Sequence, residues 1–181
     1  MTTMTVADYL KYANLQIAAE AFLVNGSQVL SGKNLIEALV GGNNHATRLT
    51  PTQANDFDVH WKVLDQCANT PSGFSGTLFE CREDDPATGA KAGDIVVSFR
   101  STEAVDDAVR DAKATDELEV SAHGFAFGQI SDMEAWFKSL QTKPGVADQL
   151  VGKQIAVTGY SLGGHPEEHH RSTESTREEV L

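Results

Sequence analysis

A short apolar segment ending at Thr158 runs directly into Gly159-Tyr-Ser-Leu-Gly-Gly164. A strand followed by a G-x-S-x-G turn predicts a nucleophile elbow, in which the chain turns from strand to helix within a few residues. Only small neighbours fit such a tight turn, and Gly159 and Gly163 meet that requirement. Ser161 is therefore the predicted nucleophile, with its hydroxyl projecting above a sheet.

The residue after the serine has a predicted role as well. The backbone N–H of Leu162 is expected to point toward the oxyanion that forms when the serine attacks a carbonyl carbon. The alternative is a plain strand-to-helix turn whose serine caps the helix. Capping does not account for a glycine on each side of the serine, so the sequence favours the catalytic interpretation.

The remaining patterns predict alternating helices and strands. Helices are expected over 5–24 and 35–40, from Thr50 to about Asp65, over 103–115, and after a capping box that begins at Ser131. Strands are expected over 74–81, 94–99 and the segment before Ser161. The predicted fold is an α/β sheet, parallel around the elbow and mixed at its edge, with helices on both faces.

Length and composition narrow the class of function. The chain has 181 residues with 40% hydrophobic content, and no apolar run approaches the roughly 18 residues that a membrane span requires. Acidic residues outnumber basic ones 26 to 14, and no basic patch is evident, so nucleic acid is not an expected partner. The N-terminus lacks the pattern of a secretory signal peptide, which predicts a cytoplasmic location or leaderless export.

The two cysteines, Cys67 and Cys81, leave two alternatives open: one disulfide or two free thiols. They do not form a close metal-ligand pair. The acidic run Glu83-Asp84-Asp85 lacks the alternating oxygen ligands and the glycine of a calcium loop,. The sequence therefore assigns no metal and no cofactor.

Three blocks of this sequence, in order, resemble the class 3 lipase family. They are Ile95-Val-Val-Ser-Phe-Arg-Ser-Thr102, Ala122-His-Gly-Phe125 and Ile155-Ala-Val-Thr-Gly-Tyr-Ser-Leu-Gly-Gly164. The resemblance implies that Thr102 completes the oxyanion hole and that the segment 103–112 is a lid helix. It departs from the family pattern at Ser101, Ala122 and Tyr160, where glycine, histidine and histidine are usual.

The activity implied by this resemblance is hydrolysis of carboxylic esters of lipids. Triacylglycerol or phospholipid would be the substrate, an acyl-enzyme on Ser161 the intermediate, and a lipid–water interface the place of action. The implied fold is the α/β hydrolase, of which residues 1–165 would form the N-terminal part.

A hydrolase serine in this fold also needs a histidine base and an orienting carboxylate, and both follow it in the chain. Only 20 residues follow Ser161, the resemblance stops at His165, and 166–181 reads as a divergent polar tail, disordered or foreign,. His165 is expected to point away from the cleft. The other histidines are not assigned as the base; they are His45, His60, His123, His169 and His170.

The Asp and His of the triad are thus not identifiable from the sequence. This leaves an alternative function open: a catalytically inactive, truncated lipase fragment that at most self-associates.

Overall fold

The structure is a computed structural model that describes residues 4–43, 48–100 and 127–159. In these ranges the helices are α1 (Val6–Ala19), α2 (Gly32–Gly41), α3 (Pro51–His60), α4 (Phe127–Leu140) and α5 (Ala147–Leu150). The strands are β1 (Val24–Asn25), β2 (Gln28–Val29), β3 (Trp61–Cys67), β4 (Gly76–Cys81), β5 (Ile95–Phe99) and β6 (Ile155–Gly159).

The main sheet has four strands in the order β3-β4-β5-β6. Strand β4 is antiparallel to both β3 and β5, whereas β5 and β6 are parallel. Hydrophobic clusters cover both faces of this sheet and include residues of the helices. The predicted mixed α/β sheet with helices on both faces is confirmed, and its relation to the α/β-hydrolase fold stays a prediction.

Strand β5 is apolar at nearly every position because both of its faces are covered. Val96 faces a core built with α1, α2 and α3, while Val97 and Phe99 face a second core built with α4. Because successive side chains of a strand point to opposite faces, a strand covered on both sides needs apolar residues at both alternations. All five residues of β5 are buried.

Three predicted helix boundaries were wrong, and the first two are the end of α3 and the start of α4. Helix α3 ends at His60 rather than near Asp65, because Trp61 and the residues after it pair with β4 as strand β3. Helix α4 covers Phe127–Leu140, so Ser131 is an internal residue and not a cap. Instead, Asp132 accepts a hydrogen bond from the Ser72 hydroxyl at 2.7 Å.

The first helix follows its prediction at the N-terminus and ends earlier than expected. Thr5 and Asp8 form a reciprocal capping box at its start. The chain then forms the short hairpin β1–β2, which was not predicted although its two-residue loop, Gly26-Ser27, is typical of hairpins,. Gly26 has φ 61°, a conformation that glycine adopts without steric cost,.

Candidate active site

The ends of β5 and β6 define the edge where the predicted site would lie. The two parallel strands are in register along their length, with Phe99 opposite Gly159 at their carboxyl ends. Neighbouring strands are about 4.8 Å apart, so the segments that follow β5 and β6 leave the sheet side by side. In open α/β sheets this edge is where ligands bind.

Of the predicted site residues, the structure describes Gly159 at this edge. Gly159 is the last residue of β6 and is partly buried. Thr102, Ser161, Leu162 and Gly163 lie outside the described residues. In sequence, Thr102 follows Phe99 by three residues and Ser161 follows Gly159 by two. The structure therefore brings together the two strand ends that lead to these residues.

The predicted lid helix, the Ala122-His-Gly-Phe125 block and the polar segment 166–181 also lie outside the described residues.

Helix α1 holds the end of β6. The side-chain amide nitrogen of Gln16 donates hydrogen bonds to the Thr158 hydroxyl and, at 3.3 Å, to the Gly159 carbonyl oxygen. These two residues immediately precede the predicted elbow. Since α1 packs on the same face of the sheet as Val96, the helix fixes this strand end from one side.

Arg100 is the first residue after β5, and its side chain is buried at 4% exposure. Its backbone N–H donates to the Ser75 carbonyl oxygen at 2.9 Å and so continues the β4–β5 ladder by one residue. Its guanidinium donates to Asn69 Oδ1 at 2.6 Å and lies over the Phe22 ring, 5.3 Å from the ring centroid.

Helix α4 covers the opposite face of the sheet near this edge. Trp136 packs against Gly76 and Phe74 and donates from Nε1 to Asp65 Oδ2 at 2.8 Å. Asp65 also forms an ion pair with Lys143, just beyond α4. The start of β4, opposite Phe99 in the sheet, is therefore covered by an indole ring whose polar end is satisfied.

The cysteines supply no competing nucleophile. Burial, with the nearby charges of Asp65 and Asp132, raises the pKa of the Cys67 thiol to about 11. Burial likewise raises the pKa of Cys81 to about 11. Both thiols are protonated near neutral pH, whereas a reactive cysteine needs its thiolate.

The disulfide alternative is also resolved, because both cysteines are free. Cys67 pairs with Gly76 at one end of the β3–β4 ladder, and Cys81 pairs with Trp61 at the other. Gly76 and Cys81 are five residue steps apart along β4, which corresponds to roughly 17 Å. A disulfide requires Cα atoms less than about 7 Å apart.

His60, the one histidine in the described ranges, does not reach the carboxyl edge. It ends α3 immediately before β3, which starts at the same end of the sheet as β5. The full length of the strands separates it from Gly159. Its Nδ1 lies 3.0 Å from the Asp56 carbonyl oxygen.

Within the described residues, no group of three or more His, Cys, Asp or Glu side chains is arranged to hold a metal ion. None of the helices described there combines the length and hydrophobicity that crossing a bilayer requires. Comparison with family models, curated proteins and solved structures yields no significant match to this chain.

Sequence reasoning missed Gln16 and Arg100 as residues that hold the candidate site. Gln16 is a polar residue on a helix that packs against the sheet. Arg100 is a charged residue that directly follows a strand with a single polar residue, Ser98, and this position was a signal that it is buried. Their partners Thr158 and Asn69 are far away in the sequence, so only the fold reveals the contacts.

Proposed function

We propose that the protein is a serine hydrolase that cleaves carboxylic esters of lipids, triacylglycerols or phospholipids, through an acyl-enzyme on Ser161. The observation that carries the proposal is the parallel pairing of β5 and β6 with Phe99 opposite Gly159. Because of this pairing, the segments that lead to Thr102 and to Ser161 leave the sheet at adjacent points of one edge. An oxyanion hole and a nucleophile need this proximity.

In this reaction the Ser161 hydroxyl oxygen attacks the ester carbonyl carbon and its proton passes to a general base. The oxyanion would accept hydrogen bonds from the Leu162 N–H and from Thr102. Loss of the alcohol leaves an acyl-enzyme, which water then hydrolyses to the free acid and the original serine. Gly159 and Gly163 would give the turn the space it needs.

The test is labelling with a fluorophosphonate ester, which reacts covalently with activated serines, followed by peptide mass spectrometry. We expect one adduct, on Ser161, and none in Ser161→Ala. Ser131→Ala is the matched control, because Ser131 is exposed on α4 and its substitution should leave labelling unchanged. A folded wild-type protein without an adduct on Ser161 would refute the proposed activity.

A second candidate is a protein without hydrolase activity that self-associates along β6. Among the described residues, β6 pairs only with β5, and it contains no charged residue and no proline. The other edge strand, β3, has the features that protect an edge: Lys62, Asp65 and a bulge next to Val63,. Light scattering after size-exclusion chromatography distinguishes the candidates when combined with the labelling: a labelled monomer supports the enzyme, and an unlabelled oligomer supports self-association.

A further inference from the structure

Arg100 is a charged residue at a place where charge is costly. Its side chain is almost fully buried at the carboxyl end of β5. Removing a guanidinium from water is unfavourable unless the protein supplies partners in return. The partners that this fold supplies show what the side chain does.

Three separate parts of the chain meet at Arg100. The loop between β3 and β4 provides Asn69, whose side-chain oxygen accepts a 2.6 Å hydrogen bond from Nη2. The segment after α1 provides the ring of Phe22, with the guanidinium carbon 5.3 Å from its centroid. The residue before β4, Ser75, accepts a hydrogen bond from the Arg100 backbone N–H. These contacts fix the backbone and the side chain of the same residue.

We infer that Arg100 is a positioning residue that fixes the path of the chain from β5 toward Thr102. The inference rests on the proposed function, in which Thr102 helps to hold the oxyanion. Donors in such a hole act at 2.7–3.1 Å, and a misplacement of about 1 Å can lower the rate about 100-fold. A residue two positions before Thr102, held by contacts to three segments, limits that displacement.

The contacts also explain why the residue is arginine. A planar guanidinium can lie flat on an aromatic ring while its edge donates to an amide oxygen. The ammonium group of lysine is a point charge and does not combine these two contacts. Arg100→Lys should therefore restore only part of what Arg100→Met loses.

The experiment compares Arg100→Met, Arg100→Lys and Asn69→Ala with the wild type. The control is Arg82→Met, because Arg82 follows β4 at the opposite end of the sheet and its contact with Asp58 is a 4.0 Å ion pair. The first readout is the rate of fluorophosphonate labelling of Ser161 per folded molecule. The second is amide hydrogen exchange of peptides covering 98–104, relative to peptides covering 76–81.

In Arg100→Met we expect labelling per folded molecule to slow by about 10- to 100-fold, with faster exchange in 98–104. Asn69→Ala should give smaller changes in the same direction, and it provides the test if Arg100→Met does not fold. Arg82→Met should match the wild type in both readouts.

Labelling in Arg100→Met at the wild-type rate per folded molecule, or unchanged exchange in 98–104, would overturn the inference. If the wild type itself is not labelled, the proposed function fails, and the exchange readout alone decides whether Arg100 holds this segment.

Discussion

Gly76 begins β4 beneath the ring of Trp136 and opposite Phe99, so its substitution probes how tightly α4 packs on the candidate edge. A Cβ atom at this position would lie 2.8 Å from Trp136 Cζ3 and 3.2 Å from Phe99 Cδ1. Carbon atoms pack best at about 3.5–4.0 Å. Gly76→Ala therefore requires the indole ring or its helix to move by roughly 1 Å.

The ring has little freedom to move. Its Nε1 donates to Asp65 Oδ2 at 2.8 Å, and its other side packs against Phe74 with the ring centroids 5.9 Å apart. Overpacking of this kind costs about 1–3 kcal/mol. The lower entropy of alanine in the unfolded chain returns about 0.4–1 kcal/mol. We expect a net loss of about 1–2 kcal/mol in the free energy of unfolding, which lowers Tm by about 2–8 °C for a chain of this size.

The assay is thermal and urea denaturation followed by circular dichroism. Gly41→Ala is the matched control, because Gly41 is helical and a Cβ there meets nothing within 4 Å. That substitution should stabilise the protein by about 0.5–1 kcal/mol. In a Trp136→Phe background, where the second ring is removed, Gly76→Ala should cost less than half of its value in the wild type.

A Tm that is unchanged or raised in Gly76→Ala, while Gly41→Ala behaves as expected, would show that α4 does not pack tightly on Gly76. An equal cost of Gly76→Ala in the wild-type and Trp136→Phe backgrounds would show that the strain does not come from the indole ring.

Two further predictions concern groups away from this contact. Burial of Asp85 opposes its ionisation, but hydrogen bonds from the Thr88 hydroxyl and the Ala87 amide outweigh this and lower its pKa below the ordinary 3.8. Asp85→Asn should cost about 1.5–3 kcal/mol at pH 7. Because the pKa is lowered in the folded state, this difference should decrease in urea titrations as the pH falls below 3.8,; a difference that does not change with pH would contradict it. Because the pKa of Cys67 and of Cys81 is raised to about 11 from 9.0, iodoacetamide at pH 8 should alkylate both thiols about 100-fold more slowly in the folded than in the unfolded protein, and equal rates would contradict the burial.

The strongest sequence patterns predicted the strands well. The misplaced boundaries of α3 and α4 depend on contacts with distant parts of the chain. The apolar runs of β4, β5 and β6 identified these strands because β4 and β5 are buried on both faces and β6 is partly buried. The end of α3 was misplaced because the run from Trp61 to Cys67 also fits a helix, and only pairing with β4 makes it a strand,. The polar residues of α4 suggested a helix start at Ser131, although Asp132 is used in a contact with the distant Ser72.

For the candidate site, the sequence alone determined the residue types: a serine between glycines after an apolar strand, and a hydroxyl residue after another. Local sequence patterns did not determine their proximity, because Ser161 follows Thr102 by 59 positions in the chain. The tertiary structure decided that β5 and β6 are parallel neighbours, with Phe99 opposite Gly159. It also decided that Gln16 and Arg100 hold the two strand ends. Local patterns reflect backbone preference and burial, whereas strand order and long-range hydrogen bonds arise only when distant segments pack together.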